Sequence, residues 1–322
     1  MAMIFHKPCL AAGLLAAAVL WTGAVSAQVA QAPGTWSTAA PLPDERTEVS
    51  VASDGERLYL LGGFARGEAP RAIYAYEPQA DAWSHLTDLP QGVNHAGVAY
   101  ADGKLYVVGG YREATFDAAD ALRIYDIESE SWSDGPELPT ARGALAVAVH
   151  EGRIHAIGGV DADKNRTGAH EIFDPASETW TTAAAMPTPR DHLAAAPVDG
   201  GIVALAGRDG TSFTLTATEI YDVAEDAWRS GADVPTGRSG VAAVELGGFV
   251  YLFGGETMDP DSTFDEAERY DPQSDSWAAL PPMPTARHGL GAGVLDGRIH
   301  VVAGGPEAGF AFSDVNEVLT PE

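Results

Sequence analysis

Six tryptophans, Trp36, Trp83, Trp132, Trp180, Trp228 and Trp277, fall at intervals of 47, 49, 48, 48 and 49 residues, and in a chain with seven tryptophans this spacing requires a structural repeat. A second series runs in step with it. Gly62-Gly63, Gly109-Gly110, Gly158-Gly159, Gly254-Gly255 and Gly304-Gly305 recur at the same period, with Ala206-Gly207 holding the place in the fourth unit.

Punctuation divides each unit into four short strands. The pairs Asp54-Gly55, Asp102-Gly103, Glu151-Gly152, Asp199-Gly200, Gly247-Gly248 and Asp296-Gly297 are tight-turn sequences, so the first two strands are expected to be antiparallel neighbours. The second strand is continuously apolar, as in Leu58-Tyr59-Leu60-Leu61 and Val250-Tyr251-Leu252-Phe253, which suits a strand covered on both faces. The third carries Ile124-Tyr125-Asp126 or Arg269-Tyr270-Asp271-Pro272, and its Asp or Pro turns the chain into a fourth strand that begins at the tryptophan. Periods near 50 with four strands per unit mark the blades of a β-propeller.

The first strands, such as Leu193-Ala194-Ala195-Ala196 and Gly289-Leu290-Gly291-Ala292-Gly293, are built of small residues. Only small side chains let backbones converge at an axis, so these strands are expected to line a central channel. Trp36 is a fourth-strand residue with no first three strands before it, and Val315 to Leu319 form a third strand with no tryptophan after it. The two ends together complete a sixth blade and remove exposed sheet edges. The fold class is therefore all-β: six blades of four antiparallel strands, the last closed by the N-terminal strand, in one domain over residues 28–322.

The glycine doublet, the Tyr-Asp-Pro-like third strand and the spaced tryptophan resemble kelch repeats over essentially all of residues 34–322. Kelch propellers include protein-interaction modules, the galactose oxidase propeller and a bacterial periplasmic sialic acid epimerase (mutarotase) similar in size and export. The resemblance implies a kelch β-propeller and leaves its function open. The galactose oxidase chemistry needs a cysteine crosslinked to a tyrosine, and Cys9 is the single cysteine of the chain.

Cys9 lies in a leader. Lys7 is followed by an uncharged Ala/Leu-rich run that ends at Val25-Ser26-Ala27, the pattern of a signal peptide cleaved after about Ala27. The run is shorter than a membrane span, so no stable membrane insertion is expected after cleavage, and the protein is expected in the periplasm or outside the cell. Without residues 1–27 the balance is 18 Lys and Arg against 46 Asp and Glu, or −28, which excludes nucleic acid as a natural partner.

Within that acidic chain a Pro-x-x-Arg element opens most first strands, placing Arg46, Arg142, Arg190, Arg238 and Arg287 in phase, with Asn94 at the matching point of the second unit. His95, His192 and His288 stand beside them. The loops after the glycine doublets add Arg66, Arg112, Lys164, Arg166 and Arg208, so ten cations are expected on or near one face. Guanidinium groups bind carboxylates bidentately, which makes this face a candidate site for an anionic ligand such as a carboxylated sugar or an acidic peptide. The competing role for each arginine is structural, bonding carbonyls or an acid such as Asp44, Glu45 or Asp191. Nine histidines show none of the local spacings that hold zinc, and the run 161–165 lacks the Gly and distant Glu of a calcium loop. No metal and no cofactor are therefore expected.

The sequence supports an exported binding module for a protein or anionic partner rather than an enzyme, with no catalytic residue assigned. The alternative is a mutarotase acting on sialic-acid-like sugars, in which an arginine would hold the carboxylate and a Glu, Asp or His would move protons. Glu256 and Glu307, near the doublets, are its candidate acids.

Overall fold

The computed structural model describes residues 1–2 and 30–322. Apart from Met1 and Ala2, the expected signal segment lies outside the described residues.

Six four-stranded antiparallel sheets follow one another along the chain. Blade 1 is Ser50–Ser53, Leu58–Leu61, Ala72–Glu77 and Ala82–Asp88; blade 2 is Gly97–Ala101, Lys104–Val108, Leu122–Asp126 and Ser131–Asp134. Blade 3 is Ala146–His150, Arg153–Ile157, His170–Asp174 and Thr179–Thr182; blade 4 is Ala194–Val198, Gly201–Leu205, Thr218–Asp222 and Ala227–Ser230. Blade 5 is Ala242–Leu246, Phe249–Phe253, Ala267–Asp271 and Ser276–Ala279, to which Ala30–Gln31 adds a short parallel strand. Blade 6 takes Gly291–Leu295, Arg298–Val302 and Asn316–Pro321 from the C-terminal end and Gly34–Thr38 from the N-terminal end. In that blade Trp36 pairs with Leu319 and Ser37 with Val318, so the two chain ends are stitched by a sheet ladder.

The second strands are buried, along their whole length in Leu58–Leu61 and Gly201–Leu205 and after the first residue in the other four blades, because each is covered by neighbouring blades on both faces. Small first-strand residues from all six blades, among them Ser50, Gly97, Ala146, Ala194, Ala242 and Gly291, surround the channel. At the hairpin tips both residues are left-handed at Asp102-Gly103, Glu151-Gly152, Gly247-Gly248 and Asp296-Gly297. Blades 1 and 4 differ, with only Gly55 and Gly200 of their pairs at positive φ. Blade 6 corrects a second detail. Its left-handed pair is Ala303-Gly304, one residue earlier than the expected Gly304-Gly305, in register with Ala206-Gly207 of blade 4.

The tryptophans join blades as well as filling space. Nε1 of Trp83, Trp180, Trp228 and Trp277 donates to the carbonyls of Ala40, Pro136, Ala184 and Ala232, which lie beyond the outer strand of the preceding blade. Trp132 has no such partner among the described residues. The fourth strand of blade 1, its neighbour, carries an extra residue, Leu86, opposite the step from Ile73 to Tyr74 on the third strand, a bulge of the kind that bends a strand.

Candidate functional site

Just after each repeat-locked arginine position the chain turns at the axis through a left-handed residue. These residues are Glu48, His95, Ala144, His192, Gly240 and Gly289, with φ of 54°, 51°, 54°, 52°, 68° and 59°. Backbone amides link them in sequence: Ala144 donates to His95 at 2.9 Å, His192 to Ala144 at 3.1 Å, Gly240 to His192 and Gly289 to Gly240 at 2.9 Å each. His95 donates to Glu48 at 3.4 Å, and Val49 donates back to Gly289 at 3.3 Å, closing a collar at one end of the channel. Glycine adopts this conformation without strain, whereas a side chain there costs about 1 kcal/mol or more. Blades 5 and 6 use glycine; blades 1, 2 and 4 carry Glu48, His95 and His192, and their side chains meet.

The residue before each collar position pairs with the residue after each glycine doublet: Thr47 with Phe64, Asn94 with Tyr111, Gly143 with Val160, Asp191 with Arg208, Ser239 with Glu256 and His288 with Gly305. This second ring brings the polar Asn94, Asp191, Arg208, Glu256 and His288 around the collar, with Phe64, Tyr111 and Val160 between them. His95 Nε2 lies 3.1 Å from His192 Nε2 and 3.3 Å from Glu48 Oε2. Arg208 donates to His192 Nε2 at 3.0 Å and to Asp191 at 2.8 Å, while Arg166 donates to the other Asp191 oxygen at 2.7 Å. His288 Nε2 lies 3.7 Å from Glu48 Oε1 and 3.6 Å from Glu256 Oε2.

Burial and charge set the protonation here. Burial raises the Glu48 carboxyl, but the facing His95, His192 and His288 rings and Arg208 outweigh it and hold Glu48 down at about 2. Burial pulls His95 down to about 4 against the pull of Glu48. Burial also works against an ionised Asp191, yet His192 and Arg208 hold its carboxyl well below the usual range. With neutral imidazoles, Glu48, Asp191 and Glu256 against Arg166 and Arg208 leave the cluster at −1.

The expected ligand-holding arginines are elsewhere. Arg46, Arg142, Arg190, Arg238 and Arg287 are fully buried, and their hydrogen bonds are internal to the blades. Arg142, Arg190, Arg238 and Arg287 pair with Glu171, Glu219, Glu268 and Glu317 on the third strand of their own blades. Thr140, Thr188 and Thr285 of the Pro-Thr-x-Arg elements bond the other oxygen of the same carboxylates. Arg46 pairs with Asp44 instead and donates to the carbonyls of Gly62 and Ala72. Arg142 and Arg190 keep an Nε–H unpaired among the described residues, but all five guanidiniums are paired with an internal acid and closed off from solvent, where no ligand reaches them, so the structural role wins for all five.

Nor is the loop face a cationic funnel. Arg66 pairs with Glu45, Arg112 with Asp120, Arg166 with Asp191, and Arg208 with both Asp191 and Glu256, so each of these guanidiniums is matched by an acid, while Lys164 donates to the Phe116 carbonyl.

The other expected residues do converge. His95, His192 and His288 enter the collar cluster, and buried Asn94 serves it from behind. Asn94 is not at the arginine's place, however: it pairs with Tyr111 as Asp191 pairs with Arg208, one residue later, and Val93 fills the arginine position of blade 2. Asn94 Nδ2 donates to the Glu113 carbonyl at 2.6 Å, which turns its Oδ1 to the His95 Nδ1–H at 2.6 Å. Glu48 and Asp191 were not expected as site residues. They are 143 residues apart, and only the repeat phase brings them together. Reading the six copies in register, one and two places after the arginine, would have found both, because these columns hold charged residues in some blades and glycine in others.

Above the cluster lies a cavity of about 170 Å³ lined by Glu48, Phe64, His95, Arg208, Glu256 and Phe310. Phe64 stands at its wall, with ring centroids 6.1 Å from Phe116 and 5.7 Å from Phe310.

The family model described as the KLHDC2/KLHL20/DRC7 Kelch-repeats domain matches residues 94–305, and the Kelch motif model matches residues 45–90. Kelch-like protein 35 of Mus musculus is 32% identical over 78 residues, covering 24% of this chain and 13% of that protein. Beta-scruin of Limulus polyphemus is 32% identical over 76 residues, covering 23% of this chain and 8% of that protein. Kelch-like protein terF of Aspergillus terreus is 31% identical over 96 residues, covering 26% of this chain and 20% of that protein. The matching stretch thus spans no more than a fifth of each of these relatives.

Proposed function

This chain belongs to the kelch-repeat family, and from that premise we propose that it is an exported binding module holding a protein partner on the loop face around the channel mouth. One observation carries the reading. Phe116, Phe213, Met258 and Phe310, the large apolar side chains left exposed among residues 30–322, all lie in the connections between the second and third strands, at the same end of the propeller. In a chain of net charge −27, exposed apolar residues gathered on one face support a docking surface.

The aromatic wall of Phe64, Phe116 and Phe310 would receive an apolar side chain of the partner. A narrower reading, an acidic peptide or carboxylated sugar, rests on Arg208 alone among the groups lining the same cavity. It would have to exchange the bonds Arg208 makes to Asp191, Glu256 and His192 for the ligand, so the protein partner is preferred. Export would place the module in the periplasm or outside the cell after cleavage near Ala27, which the mass of the mature protein checks.

The test compares wild type with Phe116→Ser/Phe310→Ser as bait in the exported protein fraction, and titrates both with acidic peptides and uronic acids. A partner retained by wild type and lost by the variant, at unchanged thermal midpoint, is the expected result. Equal retention by both proteins would remove the loop face from consideration.

A further inference from the structure

Three buried imidazoles at the collar have their tautomers assigned by their neighbours. His192 Nδ1 faces the Asp191 carboxylate, His288 Nδ1 faces the Gly305 carbonyl at 3.1 Å, and His95 Nδ1 faces the Asn94 carbonyl oxygen at 2.6 Å. All three acceptors lack a proton to give, so each imidazole donates through Nδ1, and a neutral ring then turns a bare Nε2 lone pair inward. These lone pairs are directed at one another and at the Glu48 carboxylate: 3.1 Å between His95 and His192, 3.3 Å from His95 to Glu48, and 3.7 Å from His288 to Glu48. The His288 side chain is 1% exposed, and its Nε2 has no hydrogen-bond partner among the described residues. Arg208 donates to the His192 Nε2 lone pair from one side. Among the described residues, the lone pairs of His95 and His288 and the Glu48 carboxylate face the same space without a cation between them, an arrangement that repels until one enters.

We propose that Glu48, His95 and His192 form a binding site for one divalent transition-metal ion, with Nε2 of both histidines and a Glu48 carboxylate oxygen as ligands. The ligand atoms of these three residues lie within 4.8 Å of one another. Two ligands each about 2.1 Å from a metal and about 100° apart are separated by about 3.2 Å, which is the spacing of His95 Nε2 from His192 Nε2 and from Glu48 Oε2. His192 and Glu48 stand farther apart, within 4.8 Å, and would close toward the ion on binding. Two imidazoles and one carboxylate favour an ion of the zinc, cobalt or nickel kind over calcium or magnesium. Asp191 behind His192 and Asn94 behind His95 supply the outer hydrogen bonds that orient metal-binding imidazoles. The cluster's charge of −1 becomes +1 with the ion bound. The ion displaces Arg208 from His192 Nε2, and the guanidinium keeps its bonds to Asp191 and Glu256.

The backbone adds an independent mark. All three ligands occupy left-handed positions that blades 5 and 6 fill with glycine, and strain of this kind persists where the side chain serves a site. That same geometry supplies clean variants, since His95→Gly and His192→Gly remove a ligand and relax the collar.

The experiment uses the mature chain, stripped with a chelator and titrated with Zn²⁺ by calorimetry and with Co²⁺ by visible absorption. One equivalent of Zn²⁺ is expected, together with ligand-field bands from Co²⁺ and a rise in thermal midpoint on Zn²⁺ addition. His95→Gly/His192→Gly should lose all three signals while its metal-free midpoint stays at or above that of wild type. Asp191→Asn, which keeps every ligand, should weaken Zn²⁺ by roughly 10–100-fold. The site is overturned if wild type takes up no equivalent of Zn²⁺, Co²⁺ or Ni²⁺, leaving the collar filled by protons alone. Binding by the double glycine variant at wild-type affinity would overturn it equally. No partner is involved in any of these readouts, so they stand apart from the docking proposal.

Discussion

The indole Nε1 of Trp36 donates a 2.9 Å hydrogen bond to the carbonyl of Pro281, 245 residues further along the chain. It is the same bond that Trp83, Trp180, Trp228 and Trp277 make with the blade before them, here closing the ring between blades 6 and 5. The Trp36 ring also meets Phe253 edge-on at 6.0 Å.

The N-terminal strand should therefore act as a latch for the whole propeller. Trp36→Ala is expected to cost about 3 kcal/mol, from lost aromatic burial and the lost bond across the ring closure. A chain starting after Ala40 leaves the edge of Asn316–Pro321 unpaired and should unfold at a markedly lower temperature and aggregate. Urea denaturation and light scattering measure the two effects; a truncated chain with the wild-type midpoint would show that closure contributes nothing.

Arg190 and Glu219 form a buried pair held further by Thr188 and the Ala204 carbonyl. Arg190→Ala leaves a carboxylate buried without its cation and should cost about 3–5 kcal/mol. Removing both partners leaves no orphan charge, so Arg190→Ala/Glu219→Ala should cost less than the two single changes added together. A denaturation cycle that came out additive would mean the two side chains act independently.

His155 and His170 contribute to the acid response. They pack in blade 3 with His155 Nδ1 2.9 Å from His170 Nε2, both buried. Burial, helped by the adjacent ring, takes His155 to about 3, and burial takes His170 to about 4. Both titrate near about 6.5 when unfolded, so from there down to about 4 the unfolded chain binds protons that the native one refuses. Stability is fully present above pH about 6.5 and falls on acidification, by about 1.4 kcal/mol per pH unit for each such proton. Calorimetric midpoints between pH 7.5 and 4.5 should drop steeply for wild type and less steeply for His155→Gln. Identical slopes would place the acid sensitivity in other groups.

The docking and metal readings add two further expectations. Phe116→Ser/Phe310→Ser should lose the partner without losing stability, and His95→Gly/His192→Gly should lose Zn²⁺ without losing the fold.

Much of the architecture is readable without coordinates, because each blade repeats its own instructions. The Trp36 latch, the small-residue channel strands and the apolar second strands all follow from patterns within some fifty residues. Blade 6 was misread by one place at Gly304-Gly305, since the neighbouring glycine imitates the doublet and only the backbone angles distinguish Ala303-Gly304. The site was legible in part: His95, His192, His288 and Asn94 are in it, while the arginines that had been its main support are not.

The repeat in the chain determines that there are six sheets, what each strand covers and how the termini must meet, because those choices are made by local turns and side-chain size. Which way Arg190 points, and that Glu48, His95 and His192 share one small space, is decided by closure of the ring. An arginine beside an acid in sequence reads as a surface cation until the third strand brings Glu219 beneath it. Groups 47 and 97 residues apart have no common surroundings until six blades set their first strands around a single axis.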